Sequence, residues 1–171
     1  MTSNKTQKLC LAALFTALTC VATMLIAIPS PIGGYIHPGD AFVLLGAFLL
    51  GPAWGAVAGG VGSMLSDLLL GYAVYAPGTL VIKAVMGALA GLILRKCAGT
   101  RPILSAALAA AASEAVMVAG YFTYSAYILG YGPGASAEIP GNLVQALFGT
   151  AASCAIFYAL HKSHALQNLS D

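Results

Sequence analysis

From Leu9 to Ile28 the chain runs for twenty residues without one charged side chain. A hydrocarbon core about 30 Å thick takes about 20 helical residues to cross. In lipid a spanning segment must bond its own backbone groups, so the run is read as a helix. It exceeds the 7–15 apolar residues of a cleaved signal, which makes it a retained span. Similar stretches follow at about 39–50, 52–70, 78–95, 102–127 and 140–160. The composition agrees: 60% of the 171 residues are hydrophobic and 7% are charged. The mean hydropathy is +0.90, and soluble domains carry about 25% charge. The expectation is an all-α integral membrane protein, one six-helix transmembrane domain over residues 1–171.

The breaks between helices are chemical. Pro29, Pro31, Gly33, Gly34 and Pro38 rule out a helix over 29–38, and Gly51-Pro52 separates the second and third helices. The stretch 39–50 is short for a span, so either it is tilted and capped by protein or the loop before it dips into the membrane. Gly71, Pro77 and Gly78 make the next turn, and 130–141 is a further loop. Lys5 and Lys8 precede the first helix. Arg95, Lys96 and Arg101 lie between the fourth and fifth, and Lys162 follows the sixth. The loops 29–39, 71–77 and 130–139 hold neither Lys nor Arg. Positive charge stays inside, so both termini are expected in the cytoplasm and these three loops outside. Lys83 is the exception, placed within a helix.

Several functions are set aside by what the chain holds. A net charge of +2 gives nucleic acid no footprint. The cysteines Cys10, Cys20, Cys97 and Cys154 stand singly, so neither a zinc site nor a redox pair is indicated. No metal and no cofactor are expected. There is no GxxxxGK[ST] loop, so the chain does not bind ATP in that way.

Ionisable groups inside apolar helices are costly and mark candidate sites. At about 1.5 Å per residue, Lys83 lies about 8 Å below the outer surface and Glu114 about 18 Å above the inner one. Asp67 ends the third helix, and Asn142 and Gln145 begin the sixth. Asp40, beside Tyr35 and His37, begins the second. Glu114, Val118, Tyr121 and Ser125 share one helical stripe, flanked by Tyr124. The polar groups thus gather in the outer half, whereas a channel would need them along the whole path. Together with Tyr72 and Tyr75 they suggest an outward pocket for a small, flat, polar ligand. Glu114, Lys83, Asn142 and Gln145 would contact or orient it, between walls of Tyr72, Tyr75, Tyr121 and Tyr124. Simpler readings stand beside this one. The tyrosines would serve as interface aromatics, Asp40 as a helix cap, and Asp67 with Lys83 as a structural ion pair. Small residues recur at four-residue spacing at Gly51, Gly55 and Gly59, at Gly87 and Gly91, and at Ala13 and Ala17, which lets helices pack closely.

These segments carry a resemblance: 34–43 (GYIHPGDAFV), 59–72 (GGVGSMLSDLLLGY), 76–83 (APGTLVIK), Glu114 to Tyr121, and 139–142 (IPGN). Together the chain resembles the substrate-capture (S) components of energy-coupling factor (ECF) vitamin transporters, in the riboflavin-S-component-like branch. The resemblance implies a site near the outer face, closed by the loops after the first and third helices. It also implies docking through Ala13 and Ala17 on a transmembrane coupling subunit, with two ATPase subunits supplying energy. The ligand would be a small water-soluble vitamin or precursor of riboflavin, pyridoxine or hydroxymethylpyrimidine type. A non-enzymatic binding subunit in a prokaryotic cytoplasmic membrane is therefore expected. The rivals are a solitary proton-coupled transporter using Asp67, Lys83 or Glu114, and an intramembrane enzyme. The latter lacks a nucleophile pair or metal cluster in the sequence.

Overall fold

The computed structural model describes residues 2–163, apart from Ala98 and Thr100. Six α-helices follow in order: α1 Thr2–Leu25, α2 Asp40–Leu50, α3 Pro52–Leu70, α4 Ala76–Cys97, α5 Pro102–Thr123 and α6 Ile139–Lys162. Five helical stretches, those containing α1, α3, α4, α5 and α6, are long and apolar enough to cross a membrane. The protein is a multi-pass membrane protein. α3 has the bounds its flanking breakers demand: Pro52 starts it without losing a helical hydrogen bond, and Gly71 ends it in the left-handed region at φ 85°. There the Tyr72 amide reaches back to the Asp67 carbonyl at 2.8 Å.

The short α2 lies at the centre, packed against α1, α3, α4 and α6. Its neighbours bury it, which resolves its length: a helix covered by protein on several sides need not span lipid by itself. Val43, Leu44, Leu45 and Ala47 are all buried, and they join Met86 and Ala90 of α4 and Ala106, Ala109, Ala110 and Met117 of α5 in the apolar core. Small residues set the distance between α2, α3 and α4. A Cβ at Gly55 would stand 2.6 Å from the Ala47 Cα, and one at Gly87 would collide with the Gly55 carbonyl.

Three irregular segments roof the bundle. The loop after α1 forms a two-stranded antiparallel ribbon, β1 Ile28–Pro29 with β2 Tyr35–Ile36. Its turn passes through Gly33 at φ 112°. α5 runs on into a π-helical turn, Tyr124–Ile128, closed by the Leu129 amide on the Tyr124 carbonyl at 3.0 Å. The expected loop after it is a 3-10 segment over Gly132–Glu138. α1 begins seven residues earlier than its apolar run, since polar Thr2–Lys8 continues the helix, and it ends at Leu25 rather than at the expected Ile28, which pairs in β1. Hydropathy marks the part of a helix that suits lipid and is silent on a polar extension.

Candidate functional site

Helix α4 shows how the outer half is layered. Thr79 on its first turns faces a narrow cavity, Lys83 lies one turn lower, and Met86, Ala90 and Leu94 continue into the apolar core. The cavity is lined by Tyr35 and His37 from the ribbon loop, Asp67 of α3, Tyr75 and Thr79 about the start of α4, Tyr121 of α5, and Asn142 and Gln145 of α6. Ser30, Gly34 and Glu138 complete it. The cavity volume is about 30 Å³.

Several of the polar wall residues are tied by hydrogen bonds. The Tyr35 hydroxyl donates to Asp67 Oδ1 at 2.6 Å, and the Tyr35 ring lies 4.6 Å from that of Tyr72. The Tyr121 hydroxyl donates to Thr79 Oγ1 at 3.0 Å. The His37 amide donates to Gln145 Oε1 at 2.9 Å. His37 Nδ1 accepts the Gly39 amide at 3.1 Å, which leaves the proton of the neutral ring on Nε2. Burial is the main reason the His37 ring is held down to about 4; the Lys83 cation adds to the effect and Asp40 opposes it. Burial and the Asp67 carboxylate push the Tyr35 hydroxyl up.

Below the cavity lies a layer of charge. Lys83 and Asp40 are fully buried and form a salt bridge through Lys83 Nζ and Asp40 Oδ1. Gln145 Nε2 donates to the other Asp40 oxygen at 2.6 Å. Gln145 therefore touches both the cavity and the ion pair. Lys83 Nζ also sits 5.4 Å from the Tyr121 ring centroid. Glu114 is 2% exposed, and neither carboxyl oxygen meets hydrogen-bond geometry with a described group. It packs where α5 meets α6, so that a Cβ at Gly149 would strike Glu114 Oε1 and stand 3.0 Å from the Asp40 Cβ.

This arrangement corrects two simple readings. Lys83 pairs with Asp40 rather than with Asp67, whose partner is Tyr35. Asp40 does not cap α2; its side chain points to Lys83 and Gln145 instead. Of the twelve expected ligand residues, Tyr35, His37, Asp67, Tyr75, Tyr121, Asn142 and Gln145 line the cavity. Asp40, Lys83 and Glu114 lie in the layer below. Tyr72 backs Tyr35, and Tyr124 donates to the Val74 carbonyl at 2.8 Å while its ring packs over Gly78. Ala13 and Ala17 are exposed on the outer face of α1.

Ser30, Gly34, Thr79 and Glu138 line the cavity without having been expected from the sequence, and the charged one is Glu138. It is 4% exposed and accepts the Tyr75 hydroxyl at 3.0 Å and the Ser125 hydroxyl at 2.9 Å. Burial and this carboxylate push the Tyr75 hydroxyl up. The signal was present: an acid stands alone in a loop otherwise free of charge. The π turn that aims Ser125 at it has no sequence mark of its own.

The fold is of the class of helical membrane bundles, with a polar cavity under its roof and an apolar core beneath. Within that class, the ECF-type riboflavin transporter S component family matches residues 3–162, and the chain belongs to it. A Pyrococcus woesei relative, described as an "uncharacterized protein in gap 3′ region", is 42% identical over 144 residues, covering 83% of this chain and 93% of its own. The "thiamine precursor transporter HmpT" of Lactococcus lactis subsp. cremoris (strain MG1363) is 33% identical over 151 residues, covering 87% of this chain and 84% of its own. The fold matches a chain solved in "Structure and mechanism of the S component of a bacterial ECF transporter", with TM-score 0.70 and 18% identity over 92% of this chain and 97% of that one. The protein is thus a subunit of a vitamin-uptake transporter.

Proposed function

We propose that this chain captures a small, flat, water-soluble vitamin or precursor from the outside and delivers it to an ATP-driven ECF importer. The carrying observation is the position of the cavity, polar under the roof and sealed below by an ion pair and an apolar core. Its volume of about 30 Å³ is well below the roughly 300–1,000 Å³ of ligand pockets, so entry of a ring needs the roof to open. The ribbon loop, the turn at 71–75 and the segment 130–138 are the parts free to do so without disturbing helix packing. Tyr35, Tyr75 and Tyr121 supply aromatic walls, and Asp67, Glu138, Asn142 and Gln145 supply hydrogen bonds. A single ring of pyridoxine or hydroxymethylpyrimidine type demands less opening than a flavin. The relative named for a thiamine precursor supports the same size class.

Energy would come from a membrane coupling subunit docked on Ala13 and Ala17 and two ATPase subunits. A proton-coupled carrier would instead use the buried Asp67, Lys83 or Glu114, so uptake separates the two readings. Accumulation in vesicles should require ATP and the ATPase subunits, and should survive a protonophore. Uptake by this chain alone, abolished by the protonophore, would replace the proposal with a proton-coupled carrier.

A further inference from the structure

Among the described residues, the cavity wall offers acceptors and includes no Lys or Arg. Asp67 is 4% exposed; its Oδ1 takes the Tyr35 hydroxyl, and its buried Oδ2 meets hydrogen-bond geometry with no described group. The Thr79 hydroxyl interacts with the Asp67 carboxylate, but no described donor meets full hydrogen-bond geometry at Oδ2. Ser30 Oγ is likewise buried and unpartnered. Glu138 accepts one hydroxyl on each oxygen, which leaves further lone pairs on both. The one buried lysine lies below and is committed to Asp40, while every other described Lys and Arg is exposed.

We propose that the site selects an uncharged or cationic heterocycle that donates an N–H or O–H to Asp67 Oδ2, and that it excludes anionic forms of the same ring, such as its phosphate ester. A buried acceptor without a donor is costly, so the ligand that supplies the donor gains what the empty wall lacks. An anion would meet two carboxylates in a poorly screened site without a balancing cation. Selection built on a buried polar group also discriminates more sharply than selection by size. This inference rests on the capture reading and deepens it.

The test uses riboflavin, pyridoxine and hydroxymethylpyrimidine, each beside its monophosphate ester, titrated onto the purified full chain in detergent. One parent compound should bind, and its ester should bind at least about 100-fold more weakly. Asp67→Asn should weaken the parent at least about tenfold, since a donating amide can replace the acceptor there. Asp67→Asn combined with Glu138→Gln should narrow the ratio of parent to ester at least about tenfold. An ester that binds the wild type within about tenfold of its parent overturns the inference. So does a ratio unchanged in the double variant, which would mark exclusion by size. Binding of an ester alone overturns the charge selection and leaves capture standing. Silence from all six compounds removes the capture reading, and the inference with it.

Discussion

Lys83 and Asp40 share a place where neither would survive alone. Both are fully buried and their charges meet directly. Lys83→Met leaves Asp40 buried without its counter-charge, and such a break costs about 3–5 kcal/mol. Adding Asp40→Asn should restore much of the loss, because a buried ion pair replaced whole is often near neutral. Melting of the single and double variants in detergent checks the coupling; additive losses would count against it. His37 makes a second residue-scale prediction. Its ring is held at about 4 in the fold, against about 6.5 in an unfolded chain. The unfolded state therefore binds the proton first, so the stabilising contribution is full above pH 6.5 and is lost as the pH falls toward 4. The melting temperature should drop across that window, and His37→Gln should flatten the part of the slope that His37 supplies. An identical slope in the variant would contradict the assignment. Residue types alone pointed to His37, Asp40 and Lys83 as unusual. Which acid meets the lysine was not legible, because Asp40 and Asp67 both lie at outer helix ends and only the packing of α2 against α4 chooses between them.

Helix-scale predictions follow from close packing. A methyl at Gly87 has backbone in its way, the Gly55 carbonyl, which cannot rotate aside. Gly87→Ala should therefore push α3 from α4 and cost about 1–3 kcal/mol, the usual penalty of overpacking. Thermal unfolding measures it, and an unchanged midpoint would refute the contact. On α1 the expectation is opposite in kind. Ala13 and Ala17 are exposed beside Leu14 and Val21, which are themselves 51% and 53% exposed. Ala13→Trp with Ala17→Trp should leave ligand affinity unchanged and abolish co-purification with a coupling subunit. Assembly that survives would place docking on another face. The helices were the most legible part of the chain. Apolar runs bounded by Pro and Gly set α3 to the residue and α2 to within one. The ribbon, the π turn and the 3-10 segment were not legible, because their short hydrogen-bond patterns depend on tertiary neighbours. Glu138, carried by the last of these, was missed for that reason.

Over the whole molecule, irregular segments roof the cavity and an apolar helical core lies beneath it. The same division explains the two layers of the candidate site. Polar residues were expected to converge from depth along each helix, and in the structure seven of the twelve line one cavity. Depth did not separate those that line the cavity from those one turn beneath, since a single turn is only about 5.4 Å. Ligand binding should slow amide exchange over 28–38, 71–75 and 130–138, and leave the lower turns of α4 and α5 unaltered. Uniform protection along every helix would argue against a roof that closes on its ligand. The central claim is capture of a small heterocycle, and native mass spectrometry tests it most directly. The purified chain, exposed to a panel of B vitamins and their ring precursors, should gain the mass of one compound in a one-to-one complex. A chain that keeps its bare mass throughout the panel would contradict the account.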